Sequence, residues 1–446
     1  MGTRALGGLV AAAVYGFALG REPRLAVLPL LPLAAAFAVV LSRARSASKA
    51  EEEKRSRLDR AVQTLLTRYP VTTLWSIEYS VLVIWPGIFN DTLTPLARSV
   101  IAIGILPAFF LERVFHPLPV KTLVTRRLPT PAGALLISGL GFAALLSAAV
   151  AGRGNFSAIG GGPVGSVAVL LTPFQPWAIA GTALYLYLAW RGYVSRTQAR
   201  SVLAIAILTT FVYGLYQGYL APPMAASLGL AVGALRSGVL RPRHLFVGAL
   251  VIVAIWPPLY QARNERRLQL GAYRQELDLH KPSDRLRLDR LMELMGRLND
   301  EPPIRTVTTG PVDVLRFGLL PRAIDSNRPE LTTANQLSAA VGLGANSAMT
   351  FTVLGNAYVV SGWLGLVVYS AGATVLMLFV MRRSGPLAFM VSVQATTALL
   401  WIESTYPDNV AGLIQILVAG VIGLAIARRI GRLKTTEPAH DELAYS

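Results

Sequence analysis

Apolar runs of about 20 residues recur from one end of this chain to the other, and bilayer-spanning helices are the structures that such runs form. Hydrophobic residues fill 53% of the 446 positions and charged residues 15%, where a soluble domain carries about 25% charge. The spans fall at roughly 5–20, 25–42, 71–89, 95–112, 131–151, 166–190, 201–219, 221–236, 244–260, 350–380, 386–404 and 409–427. The expected fold is therefore all-α, a polytopic membrane protein of about 12 transmembrane helices.

The net charge of +18 is concentrated between the apolar runs. Segments 43–69, 113–130, 191–200, 236–243, 382–383 and 428–434 are rich in Arg and Lys, and each follows an even-numbered span. The positive-inside rule then puts both termini and all six segments in the cytoplasm. Arg21 and Arg24 are a weak violation, outweighed by the six loops. The basic charge thus reflects topology, and no nucleic-acid partner is expected. The N-terminal pair of runs reads as two spans rather than a cleaved leader. The Ala, Arg and Gly bias suggests a GC-rich bacterial source.

Absence of cysteine excludes disulfides, iron–sulfur clusters and thiol nucleophiles. His116, His244, His280 and His440 are scattered singly and no acidic cluster has metal spacing, so neither a metal nor a cofactor is expected. Segment 43–69 reads as a cytoplasmic interfacial helix or a solvated connector. Its apolar stripe is Leu58, Val62, Leu65, Leu66 and Tyr69, and its basic side includes Lys54, Arg57 and Arg60. Gly160-Gly-Gly-Pro-Val-Gly165 lacks the Lys-Ser/Thr of a nucleotide loop and reads as a flexible turn. Residues 1–260 form the first nine spans and 350–427 the last three, with a polar tail over 428–446.

The large hydrophilic insertion, 261–349, lies outside in this topology. It holds thirteen Lys and Arg against eleven carboxylates. Ser283 or Asp284 can cap a helix over 285–298, whose Leu288, Leu291, Met292, Met295 and Leu298 recur at helical spacing. Residues 301–334 contain five Pro and no periodicity, which predicts irregular structure. External Arg groups suit a lipid-linked phosphate, because guanidinium binds phosphate bidentately at any working pH. The other use for them is pairing with loop carboxylates such as Glu265, Asp289 and Asp325. Within the spans, Glu78 sits mid-run and Arg98 and Glu403 near outer ends. Such charges are costly, and they either line a functional cavity or pair between helices.

Leu315-Arg-Phe-Gly-Leu-Leu-Pro-Arg-Ala-Ile-Asp-Ser-Asn-Arg-Pro-Glu330 is followed by Asn335-Gln-Leu, Gly342-Leu-Gly, Thr350-Phe-Thr-Val-Leu-Gly-Asn-Ala-Tyr358 and Ser361-Gly-Trp-Leu-Gly365. This stretch resembles the Wzy-type O-antigen and oligosaccharide repeat-unit polymerases. They carry a Pro-Arg … Arg-Pro element late in a large external loop and a Gly-Glu-x-Tyr … Gly-x-x-Gly element at the start of the next helix. Asn356 stands where the family commonly has Glu. The resemblance implies a glycosyltransferase that joins undecaprenyl-pyrophosphate-linked oligosaccharides at the outer face, without nucleotide sugar. Membrane lipids are its surroundings, and the reading leaves room for a chain-length regulator as a partner. Arg322 and Arg328 match the family element and are the expected pyrophosphate contacts. Arg263, Arg274, Arg316 and Tyr358 are further candidates for pyrophosphate or glycan. Candidates for a general base are Asp325, Glu330, His280 and Glu403. An O-antigen ligase-like transferase and a lipid or solute transporter are the competing readings.

Overall fold

The computed structural model describes residues 62, 64–66, 68–84, 86, 87, 92–115, 128–150, 171–270, 288–296, 310–320, 325, 327, 333–341 and 350–433. The expected spans 5–20 and 25–42, the Gly160–Gly165 stretch and the tail beyond 433 lie outside the described residues. The chain is mostly helical. Its first elements are α1 (Pro70–Tyr79), which continues as a π-helical turn over Ser80–Ile84, α2 (Pro95–Val114), and α3 (Pro131–Val150). They are followed by α4 (Trp177–Trp190), α5 (Arg196–Tyr216), α6 (Ala221–Arg236) and α7 (Pro242–Gln269). Short helices α8 (Asp289–Met295), α9 (Pro311–Leu319) and α10 (Thr333–Ala340) come next. The last are α11 (Val353–Met381), α12 (Pro386–Ala395), which ends in a second π turn over Thr396–Leu400, and α13 (Asp408–Ile430). The one exception to all-α among the described residues is a two-residue antiparallel pairing of β1 (Leu128–Pro129) with β2 (Arg432–Leu433).

Five helices are long and apolar enough to cross a membrane: α2, α3, α5, α11 and α13, with α7 a sixth if its bent halves count as one span. Their outward faces carry large exposed side chains, among them Leu136 and Leu140 on α3, Ile205 and Leu208 on α5, and Val421 and Ile422 on α13. A water-facing surface would not leave so much apolar area bare. Proline opens α1, α2, α6, α7, α9 and α12 within the first two helical positions, where its missing N–H costs nothing.

Several expectations need correction. α7 does not stop at 260; it runs to Gln269, through residues assigned to the loop. The apolar signal ends there, but the Arg, Glu and Gln that follow are good helix formers. It is bent by 48° between Ile252 and Ala254. Pro257 and Pro258 sit one turn later, where their rings crowd the carbonyls four residues back. The helix expected over 285–298 is present but shorter, and α9 and α10 occupy the region read as irregular. In α9 the Asp313 carboxylate accepts the Gly310 N–H at 3.0 Å, so a proline read as a breaker is in fact a start signal. The described end of the 43–69 segment is helical, and Leu65, Leu66 and Tyr69 are buried in the protein, not turned to a lipid surface.

The expected single span over 350–380 is two helices. Gly362 breaks α11 with φ 66° and ψ −166°, backbone that glycine adopts without strain. Leu354 and Leu366 both lie within about 3 Å of a Cβ built on Gly104, and the Ser370 hydroxyl donates to the Gly104 carbonyl. In a straight helix Leu354 and Leu366 would be about 18 Å apart. The chain therefore turns sharply at Gly362. The first arm is buried throughout residues 353–359. The second, 363–381, is about 28 Å long, enough to cross the apolar layer alone, and exposes Leu364, Val368, Val375 and Phe379.

Close approach elsewhere is made by small residues. A Cβ on Gly141 would lie 1.9 Å from the Ala178 nitrogen, and one on Gly181 2.3 Å from the Ser138 nitrogen, so α3 and α4 touch backbone to backbone. The Ser138 hydroxyl donates to the Ala178 carbonyl at 3.2 Å in the same crossing. At the foot of α6, Arg236 donates to the carbonyls of Met381 and Arg383 at 2.9 and 3.0 Å and to Ser392 Oγ at 3.0 Å, with Trp190 and Phe389 under its guanidinium. The arginine thus ends α11 and seats α12. Gly141→Leu is expected to lower the thermal midpoint in detergent by an amount equivalent to about 3 kcal/mol or more. Gly139→Leu, whose Cβ meets nothing within 4 Å, should leave the midpoint unchanged.

Candidate functional site

Two helix ends meet inside the protein. One is the head of α11, the other the tail of the π turn after α12. Ends of this kind leave N–H and C=O groups without intrahelical partners, and water is not there to take them. At the head, the Val353 N–H donates to the Ile402 carbonyl at 2.7 Å, Leu354 to Tyr79 Oη at 3.0 Å and Gly355 to Thr352 Oγ1 at 3.3 Å. Tyr79 in turn donates its hydroxyl proton to Thr352 Oγ1 at 2.9 Å, and that hydroxyl donates to Met292 Sδ at 3.3 Å. At the tail, Asn409 donates to the Ala398 carbonyl at 3.1 Å, Tyr369 to Leu399 at 2.8 Å and Trp75 to Leu400 at 3.1 Å. Apart from Gly355, which its own helix cap Thr352 answers, each of these groups is met by another element, α1 supplying two of the partners.

Asn356 belongs to this junction. Its Oδ1 accepts the Phe351 N–H at 2.8 Å and its Nδ2 donates to the Ser404 carbonyl at 3.1 Å. Both halves of the amide are used, so this residue holds the strand of chain that enters α11. Thr352 has φ 65°, which costs a β-branched residue on the order of 1–3 kcal/mol. Bonds to Tyr79, Met292 and Gly355 hold it there.

Against this satisfied framework stand charges that are not satisfied. Arg98, 7% exposed in the first turn of α2, has Nε and Nη1 buried with no hydrogen-bond partner. Glu78, 8% exposed on α1, has both carboxylate oxygens in the same condition. Its charge faces the backbone of Ile402 and the carboxylate of Glu403. By contrast, Glu112 is 1% exposed but accepts the N–H groups of Val71 and Thr72 at 2.8 and 3.1 Å, capping α1.

The sequence-derived candidates are distributed unevenly. Glu403 lies in the connection between the π turn and α13, beside Glu78. Arg316 and Asp325 are bound to each other: Nε and Nη2 of the arginine contact the carboxylate at 3.0, 3.0 and 2.8 Å, in a partly exposed bidentate pair. This is the pairing with loop carboxylates that the sequence offered as the other use of these arginines. Arg263 is 2% exposed; its Nε donates to the Gly218 carbonyl at 3.3 Å and its guanidinium stacks on Tyr260. Together with Arg266 and Arg267, on the carbonyls of Tyr216 and Gly218, it closes the C-terminal end of α5. Tyr358 is buried and packs across the α11 reversal, its ring centroid 4.6 Å from that of Trp363. His280, Arg274, Arg322, Arg328 and Glu330 lie outside the described residues. Among the described residues no three His, Asp or Glu side chains gather as a metal would need.

No protein-family model, curated protein or solved structure matches the chain. The junction's residues were hidden from the sequence, because Tyr79, Trp75 and Tyr369 read as apolar and Thr352 as neutral. A signal that could have found the site is an amide inside an apolar run, present at Asn356 and Asn409. Tyr79→Phe leaves the Leu354 N–H and the Thr352 hydroxyl with one partner fewer, and should cost about 1–3 kcal/mol in thermal or denaturant unfolding in detergent.

Proposed function

We propose that this chain is a multi-pass glycosyltransferase of a bacterial inner membrane that polymerises oligosaccharide units carried on undecaprenyl pyrophosphate. The observation that carries the reading is Arg98, a guanidinium buried near the end of a membrane helix with two N–H donor atoms unanswered. An unpaired buried cation costs several kcal/mol, and an anionic ligand that supplies the missing acceptors removes that cost. Pyrophosphate is such a ligand, and it is the leaving group in the reaction implied by the resemblance over residues 315–365. Fixed arginines stabilise the negative charge that develops as the glycosidic bond to pyrophosphate breaks. Arg322 and Arg328 stand in the matching element and take this role beside Arg98. The acceptor hydroxyl gives up its proton to a carboxylate, for which Glu403 is a candidate, since Asp325 is engaged by Arg316.

The accompanying topology has about twelve spans, both termini in the cytoplasm and residues 270–349 on the outer side. The chain has no cysteine, so single cysteines test it directly. Asn327→Cys should react with an impermeant maleimide on intact spheroplasts, and Arg243→Cys only after the membrane is opened.

Discontinuous helices are also what transporters use around a substrate. The α11 reversal and the two π turns keep that reading as the competitor. Purified protein supplied with lipid-linked repeat units in detergent separates the two, since only a polymerase lengthens glycan with no membrane to cross. Arg98→Ala, Arg322→Ala and Arg328→Ala are each expected to abolish long polymer in cells while single repeat units still reach the surface. Normal chain-length ladders from all three would overturn the assignment.

A further inference from the structure

Glu78 is a carboxyl group for which the structure provides no counter-charge. It lies two residues before the π segment Ser80–Ile84, and the hydroxyls of Ser76 and Ser80, two residues to either side in the chain, are also buried without hydrogen-bond partners. π turns of this kind are frequent at functional sites. The elements packed on α1 and its π turn bring Arg98, Glu112 and Arg113 on α2, Asp289, Arg290 and Glu293 on α8, and Glu403 in the connection that follows the second π turn. Tyr79, Tyr358 and Tyr369 are the neighbouring phenols, and Tyr79 and Tyr369 are committed to the helix ends. Among the described residues no guanidinium forms an ion pair or hydrogen bond with Glu78. The one charge that acts on it is the like charge of Glu403.

An ionised carboxylate faced only by the backbone of Ile402, next to a second carboxylate and inside a helical bundle, is not a state a protein holds at acceptable cost. Glu112 shows the alternative in the same molecule: equally deep, but given two N–H donors. What Glu78 lacks, a proton supplies. Glu403 is only partly buried, as are Ser404, Thr405 and Tyr406 after it, so the second carboxyl reaches toward the surface while the first does not. We infer that Glu78 and Glu403 form a proton-binding pair, with the proton held on Glu78 inside the protein and exchanged with the surface through Glu403. In the exchange the O–H bond on one carboxyl breaks as one forms on the other, and the pair carries a single negative charge before and after. The inference does not depend on the glycosyl-transfer reading, because it requires only the two carboxyls and their surroundings.

Dicyclohexylcarbodiimide tests it, since this apolar reagent modifies protonated carboxyls in apolar surroundings and leaves carboxylates alone. The full chain, purified in detergent and treated near neutral pH, is digested and the adducts located by mass spectrometry. Glu78 is expected to be modified at least about tenfold more than Asp325, whose carboxylate is held in the ion pair with Arg316. The adduct should disappear in Glu78→Gln, and in Glu403→Gln its pH profile should move to lower pH as the neighbouring charge is removed. Infrared difference spectra should show a protonated carboxyl band absent from Glu78→Gln. If that variant does not fold, the labelling of the native chain still decides. Failure of Glu78 to react while other carboxyls do, or protection of Glu78 by sodium at constant pH, overturns the proposal; the second outcome assigns a metal cation in place of the proton.

Discussion

A helix that begins inside a protein must have its first N–H groups met by other parts of that protein, and the structure is organised around meeting them at Val353. Three donors at that point are taken by Ile402, Tyr79 and Thr352. Tyr79 can do this only if α1 runs beside the start of α11. Ile402 can do so only if the π turn ends where it does. Met292 supports Thr352 from α8, which is the reason a short helix of the loop is buried at Leu291, Met292 and Met295. The reversal at Gly362 then returns the chain for a full crossing.

The same pressure separates two kinds of buried charge. Arg236 and Glu112 are at helix ends and are surrounded by the carbonyls or N–H groups that suit their sign. They are structural, and their surroundings neutralise them. Arg98 and Glu78 are of similar depth and lack such partners. They are among the buried polar groups that the described residues leave without a partner, beside helix ends that are met by side chains from distant elements.

What was legible in the sequence followed from physics that acts along the chain. α2, α3, α5 and α13 were visible because bilayer thickness sets a run length and nothing in their sequences interrupts it. Glu78, Arg98 and Glu403 were visible because charge stands out against an apolar background. What was hidden depends on direction and on partners. An apolar run reads the same whether the chain goes straight through or turns back at Gly362. The polar end of α7 looked like loop because its arginines are stabilised by the carbonyls of Tyr216 and Gly218, about 50 residues earlier. Asp325 looked like a base and Arg316 like a phosphate contact, and each has the other as its partner. The amide of Asn356, bonded to Phe351 and Ser404, has a use that no neighbouring residue announces.

The crossing of α3 and α4 has a mechanical side. Where Gly141 and Gly181 let two backbones touch, no side chain stands between them to change rotamer and absorb movement. That pair behaves as one bar. The seam between α1, α11 and α12 is built differently, with two π turns, a glycine reversal and contacts made through hydroxyls and amides that can re-pair. Stiffness and compliance are thus set side by side, since α4 of the bar packs on α12 of the seam through Tyr187, Trp190 and Phe389. A displacement that admits a ligand between the helices will be taken up along the seam, leaving the bar as the reference against which it is measured.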